Sequence, residues 1–115
     1  MVLNMEGGPS WVTNRIYATI LVDATKHEYY KEPIYYALGH FSKLILPDSV
    51  HISSTENSKI DKFETVAFLR PDNAIVVVAL NRNNEKVSLE IDDPNNGKII
   101  HEVQPRSIQS YVYWN

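Results

Sequence analysis

The residues of this chain with the means to do chemistry are three early glutamates, four histidines and two tryptophans. Glu6, Glu28 and Glu32 carry carboxylates of the kind that act as acid or base at a glycosidic bond. That work needs two carboxylates held at a fixed separation across a sugar. No spacing here fixes such a pair, so all three are expected to be solvated or hydrogen-bonded structural groups. His27, His40, His51 and His101 are scattered, and no two stand four apart on one helix as metal ligands would. They are expected to be structural or surface residues. The chain has no cysteine, hence no disulfide and no thiolate ligand. A nucleophile elbow, a phosphate-binding glycine loop and a zinc motif are all missing from the sequence. These residues therefore name no catalytic residue, no cofactor and no metal. Trp11 follows a Gly-Gly-Pro turn, which suits a side chain lining a site. Trp114 sits among apolar strand residues and is expected in the core. Tyr29-Tyr30 and Tyr35-Tyr36 read as packing residues with hydroxyls at the rim.

The elements that would position these residues are mostly strands. Ala74–Leu80, AIVVVAL, is an unbroken apolar run bounded by turn clusters, Arg70–Asn73 before it and Asn81–Asn84 after it. Its length and its branched residues predict a strand buried on both faces. Val50–Ser53 and Thr65–Arg70 are short strands, the second forming a hairpin with Ala74–Leu80 through Pro71-Asp72-Asn73. Val87, Leu89 and Ile91 alternate with Ser88 and Glu90, the pattern of a strand with one buried face. Asp92–Gly97 is a loop. Lys98–Val103 and Ile108–Trp114 close the set. In the last strand Ile108, Ser110, Val112 and Trp114 share one face, and Gln109, Tyr111 and Tyr113 the other. Short strands at close spacing predict an antiparallel sandwich.

The first part of the chain differs. Met1–Trp11 reads as the exit from a strand into a loop. Arg15–Asp23 is a predicted strand and Lys26–Lys31 a polar connection. Glu32–Ile45 is a predicted helix. Pro33 fits its first turn, and Ile34, Ala37, Leu38, Phe41, Leu44 and Ile45 make one apolar face. Gly39 inside it is expected to admit a close neighbour. A strand and helix of this kind are half of a βα unit, so a seam between two architectures is expected near Pro47.

Bulk composition bounds the rest. One domain with its own core is affordable at 115 residues. A net charge of -3 argues against nucleic acid as a partner. No apolar run approaches the ~20 residues of a membrane-spanning helix. No charged-then-apolar leader opens the chain, which is the expectation of either a cytosolic protein or a piece whose N-terminus lies elsewhere.

Three stretches carry a resemblance: LNMEGGPSWV at Leu3–Val12, KEPIYYALGHFSKLILP at Lys31–Pro47, and VVVALNRNNEKVSLEIDDP at Val76–Pro94. Together with SIQSYVYW at Ser107–Trp114 they resemble the C-terminal third of the glucosylceramidases, the lysosomal acid β-glucosidases of glycoside hydrolase family 30. The resemblance implies a mainly β fold: an antiparallel β-sandwich at 48–115, preceded at 1–47 by the last strand-exit and last helix of a (β/α)8 barrel with a small-sheet segment. It implies hydrolysis of glucosylceramide to glucose and ceramide, with retention, in the full-length enzyme. Both catalytic glutamates of the family fall upstream of Met1, so the segment is expected to be inert alone. By the same match Trp11, Asn14 and Arg15 border the substrate entrance. TNRIYAT at Thr13–Thr19 departs from the family pattern there, with Arg15 in an aromatic place. A saposin-type activator, an anionic lipid surface and a lysosomal location are also implied by resemblance alone. The alternative reading is a stand-alone β-sandwich that binds glycan or lipid, or serves as a structural module.

Overall fold

A computed structural model describes residues 1–12, 15–55 and 57–114. The chain divides into two compact units, Met1–Gly39 and His40–Asn115.

The first unit holds β1 (Val2–Asn4), β2 (Ile20–Asp23), β3 (Glu28–Lys31) and most of α1 (Pro33–Ser42). Its sheet runs in the order β1-β2-β3, with β1 parallel and β3 antiparallel to β2. Two expectations are corrected here. The strand expected from Arg15 begins only at Ile20. Residues just before it are tied to the glycine loop instead, Ile16 N–H donating to Gly7 O at 3.4 Å. The stretch expected as a polar connection holds the edge strand β3. Asp23 makes that reversal: its Oδ1 accepts the Thr25 N–H, the Thr25 hydroxyl and the Lys26 N–H, and His27 takes φ 56° to complete it. Tyr29 and Tyr30 then have the bulky shape a strand favours.

α1 is shorter than its apolar pattern, ending at Ser42, although Ile45 N–H still reaches Phe41 O at 3.0 Å. None of its residues is buried, and Ile34, Leu38 and Phe41 are exposed. The close neighbour expected at Gly39 is not there: a Cβ at that position would meet nothing within 4 Å.

The second unit is the sandwich. β4 (Val50–Ile52), β5 (Phe63–Leu69), β6 (Ala74–Asn81) and β9 (Ser107–Trp114) form one antiparallel sheet in the order β4-β5-β6-β9. β7 (Val87–Asp93) and β8 (Gly97–Val103) form the second, a two-stranded antiparallel layer. β6 is its axis. Six of its residues in succession, Ala74–Ala79, are buried, as a strand with neighbours on both edges and cover on both faces must be.

Register sorts the faces. Ile75 pairs with Leu69 and Tyr113, and Val77 with Ala67 and Tyr111. Ala67, Ile75 and Val77 form the core cluster, packed by Ile52, Leu69, Tyr111 and Tyr113 and, from the other layer, Ile91. The tyrosine face of β9 therefore turns inward. On the opposite face His40 Nδ1 and Ser110 Oγ hydrogen-bond at 2.7 Å. Trp114, expected in the core, is 60 % exposed. It lies at the very end of β9 opposite Ala74, where the sheet has run out of residues to cover an indole.

Two polar devices hold this unit. The β5–β6 turn is clamped by Arg70, whose Nε and Nη2 reach Asp72 Oδ1 and Oδ2 at 3.0 and 2.6 Å. Asn73 takes the left-handed conformation that the turn needs, φ 63°. Asn81 is fully buried. Its Nδ2 donates to the carbonyls of Glu85, Val103 and Gln104 at 2.9–3.1 Å, and its Oδ1 accepts Asn83 N–H. One amide thus stitches β6 to the ends of the β7–β8 layer.

Candidate functional site

The glycine turn of the first unit is built by one side chain. Asn4 Oδ1 accepts the N–H groups of Glu6 and Gly8 at 3.0 and 2.8 Å, and the Asn4 backbone exchanges bonds with Gly7 and Gly8. Gly7 has φ 79°, and a Cβ there would stand 2.8 Å from Ile16 O. Only glycine satisfies both the backbone angle and the contact. The turn frames an open cavity of about 240 Å³ lined by Asn4, Glu6, Gly7, Gly8, Pro9, Ser10, Val12 and Arg15.

The three expected entrance residues separate. Arg15 lines this cavity with Glu6. Trp11 is fully exposed beside it and is not among the lining residues. Asn14 lies outside the described residues. Of the early glutamates, Glu28 accepts the Tyr30 hydroxyl at 2.6 Å, which raises the Tyr30 pKa. Glu6 is the cavity's carboxylate, while Glu28 and Glu32 are not among its lining residues. A cavity with one carboxylate does not supply the opposed pair that glycoside hydrolysis requires. Among the described residues no cluster of three His, Cys, Asp or Glu side chains is placed to hold a metal.

A second cavity, about 260 Å³, opens at one end of the sandwich between the β7–β8 turn and the end of β9. Ile91, Asp93, Asn96, Gly97, Ile99, Tyr113 and Trp114 line it. Asp93 Oδ1 accepts the N–H of Asn95 at 2.8 Å and of Asn96 at 3.2 Å, and the Tyr113 side chain lies near the same carboxylate. The Asn95 N–H, followed by the Asn96 amides and Tyr113, lowers the Asp93 pKa against the opposing effect of partial desolvation. Burial, reinforced by the Asp93 charge, raises that of Tyr113. Sequence reasoning marked Asp92–Gly97 only as a loop. The Asp-Pro-Asn-Asn-Gly run was the available sign of an acidic turn cap. Its reach to Tyr113 depends on strand register, which that run does not carry.

The glycosyl hydrolase family 30 TIM-barrel domain matches residues 1–45, and the glycosyl hydrolase family 30 beta sandwich domain matches residues 48–111. The chain belongs to glycosyl hydrolase family 30. This family 30 chain is 46 % identical over 98 % of its length to the lysosomal acid glucosylceramidase of Mus musculus, and 34 % identical over 97 % to putative glucosylceramidase 4 of Caenorhabditis elegans. It spans 22 % of the length of each of those relatives. In three dimensions it is similar to SrfJ from Salmonella typhimurium, with TM-score 0.91 at 25 % identity, covering 99 % of this chain and 25 % of that one. No helix among the described residues is long and apolar enough to cross a membrane.

Proposed function

We propose that this chain serves a glucosylceramidase, an enzyme that hydrolyses glucosylceramide to glucose and ceramide in lysosomal sphingolipid breakdown. One observation carries the reading: 46 % identity to the mouse lysosomal acid glucosylceramidase along nearly the whole chain. In this reading residues 1–47 complete a catalytic barrel and 48–115 form its β-sandwich. The family matches ending at 45 and starting at 48 support that division. The exposed apolar residues of α1 support it too, since a barrel helix packs one face on its neighbours.

The chemistry follows the retaining scheme, with one carboxylate as nucleophile and a second as acid then base. The single carboxylate of the glycine-turn cavity supports a non-catalytic role for this segment. Trp11, Asn14 and Arg15 border the substrate entrance, and a saposin-type activator and an anionic lipid surface are the partners.

The test is turnover of a fluorogenic β-glucoside by the purified chain and by the whole enzyme. The expected result is no turnover by the chain. Hydrolysis by the chain that disappears in Glu6→Gln or Glu32→Gln would overturn the non-catalytic role. A whole enzyme inactive on glucosylceramide would overturn the substrate. A second reading, a stand-alone sandwich module, is favoured by the closed core of the second unit. It requires saturable glycan or lipid binding by the chain alone.

A further inference from the structure

The cavity at the end of the sandwich lies wholly within the second unit and combines a carboxylate with two aromatic rings. Ile91 and Ile99, a cross-strand pair of β7 and β8, line it, and so does the next pair, Asp93 and Gly97. Tyr113 and Trp114 line it from the end of β9. Tyr113 is held in place by its packing on the core cluster. Trp114 is 60 % exposed, so the fold itself leaves much of an indole in water at the cavity. A Cβ on Gly97 would meet nothing within 4 Å, so the turn leaves room there.

The Asp93 carboxylate decides the class of ligand. The Asn95 N–H above all holds its carboxyl below the usual range, so it is charged at neutral and mildly acidic pH. Bonds from Asn95 and Asn96 N–H occupy Oδ1 but leave that charge in place. Among the described residues no lysine, arginine or histidine pairs with Asp93. The lysine closest to it in sequence, Lys98, is held elsewhere, by Glu90 Oε1 at 2.5 Å and Asp92 Oδ2 at 3.0 Å. Glu90 and Asp92 alternate with Ile91 and Asp93 along β7 and so belong to its other face. The cavity therefore offers a negative field and aromatic surface, with part of its acceptor capacity already spent. A sugar hydroxyl or a primary ammonium needs directional acceptors. A quaternary ammonium has no N–H to donate and is held by charge and by aromatic faces.

We propose that this cavity binds a quaternary ammonium group of the choline type. Trp114 and Tyr113 contact its methyl groups, and Asp93 supplies the counter-charge. The site is independent of the glucosidase reading, because every residue in it belongs to the sandwich.

The experiment titrates tetramethylammonium chloride into the isotope-labelled chain at constant ionic strength and follows the amide and indole N–H signals by NMR. The expected result is a saturable shift of the Trp114 indole and the Gly97 amide at millimolar ligand, with the Trp11 indole unmoved. Choline should give the same shifts, and its neutral isostere 3,3-dimethyl-1-butanol should bind on the order of tenfold more weakly. Asp93→Asn keeps an oxygen to cap the turn and removes the charge. It should weaken binding by about tenfold, since charge attraction is what the substitution deletes. Trp114→Ala should weaken it similarly while leaving the thermal midpoint near that of the parent, because the indole is largely in water. Shifts from phosphatidylcholine vesicles as well as choline would assign the group to a lipid head; shifts from choline alone would assign a soluble ligand. No saturable shift at Trp114, equal binding of the neutral isostere, or unchanged affinity in a folded Asp93→Asn or Trp114→Ala chain would overturn the site. Glucose moving the same signals at lower concentration would overturn the ligand class.

Discussion

Strand β6 and helix α1 are both strongly apolar segments, and they end in opposite surroundings. Of the residues in β6 only Leu80 is not buried, whereas α1 buries none. The difference is not one of composition. β6 has β5 on one edge, β9 on the other, and Ile91 of the second layer over one face. α1 offers Ile34, Leu38 and Phe41 to solvent. Burial is a property of what surrounds a segment, and the sandwich supplies surroundings for β6 from within its own sequence. The first unit instead rests on backbone ladders and turn caps, with Leu3 and Ala18 as its buried apolar residues. Exposed apolar surface of this kind marks an interaction face, which is the place the proposed barrel neighbours would take.

Substitutions break that comparison at different depths. Val76→Asp should abolish cooperative unfolding, because an unpaired charge at a fully buried site costs several kcal/mol, comparable to a domain's whole stability. Circular dichroism against denaturant would show it. Asn81→Ala should cost about 2 kcal/mol by leaving buried carbonyls without their donor, read as a lower midpoint at constant slope.

Acid sharpens the comparison through charge. Asp23, Asp72 and Asp93 all have lowered pKa values, chiefly through hydrogen bonds from Thr25, Arg70 and Asn95 respectively. A depressed carboxylate favours the fold while ionised. Its contribution is therefore complete above the ordinary value of about 4 and is lost as pH falls through the lower folded value. Thermal midpoints should hold from neutral pH to about 5 and then decline. Asp72→Asn should flatten the part of that decline that belongs to the β5–β6 turn. The smallest effect is expected from Leu38→Asp, within about 0.5 kcal/mol in this chain, because half of that side chain is already in water. A large loss there would mean the helix face is covered.

Much of this architecture could be read from residue order. Ala74–Leu80 names the central strand because seven apolar residues between two turn clusters have no other economical conformation. Pro71-Asp72-Asn73 names its hairpin, since proline, an acceptor and a residue tolerant of positive φ stand in the order such a turn uses. The alternation of Val87, Leu89 and Ile91 names β7. What stayed hidden depends on distant partners. β3 was disguised as a polar linker because an exposed edge strand has no apolar face to display. Trp114 suggested core by its type, but its place at the end of a strand decided its exposure. The tyrosines of β9 gave no sign of which face turned inward until register set Tyr113 beside Ile75. Around the glycine turn, EGGPSW was legible as a motif, whereas the cavity needs Arg15 brought back against Glu6, a matter of chain path. The Asp93–Tyr113 link was equally invisible.

Hydrogen exchange of the whole chain, resolved by residue, tests the contrast between the two units most directly. Amides of β5, β6 and β9 should exchange only through global unfolding, while those of β1–β3 and α1 exchange orders of magnitude faster through local opening. Equal protection across Met1–Gly39 and the sandwich strands would contradict the account, because it would mean that the first unit, too, is closed by its own core.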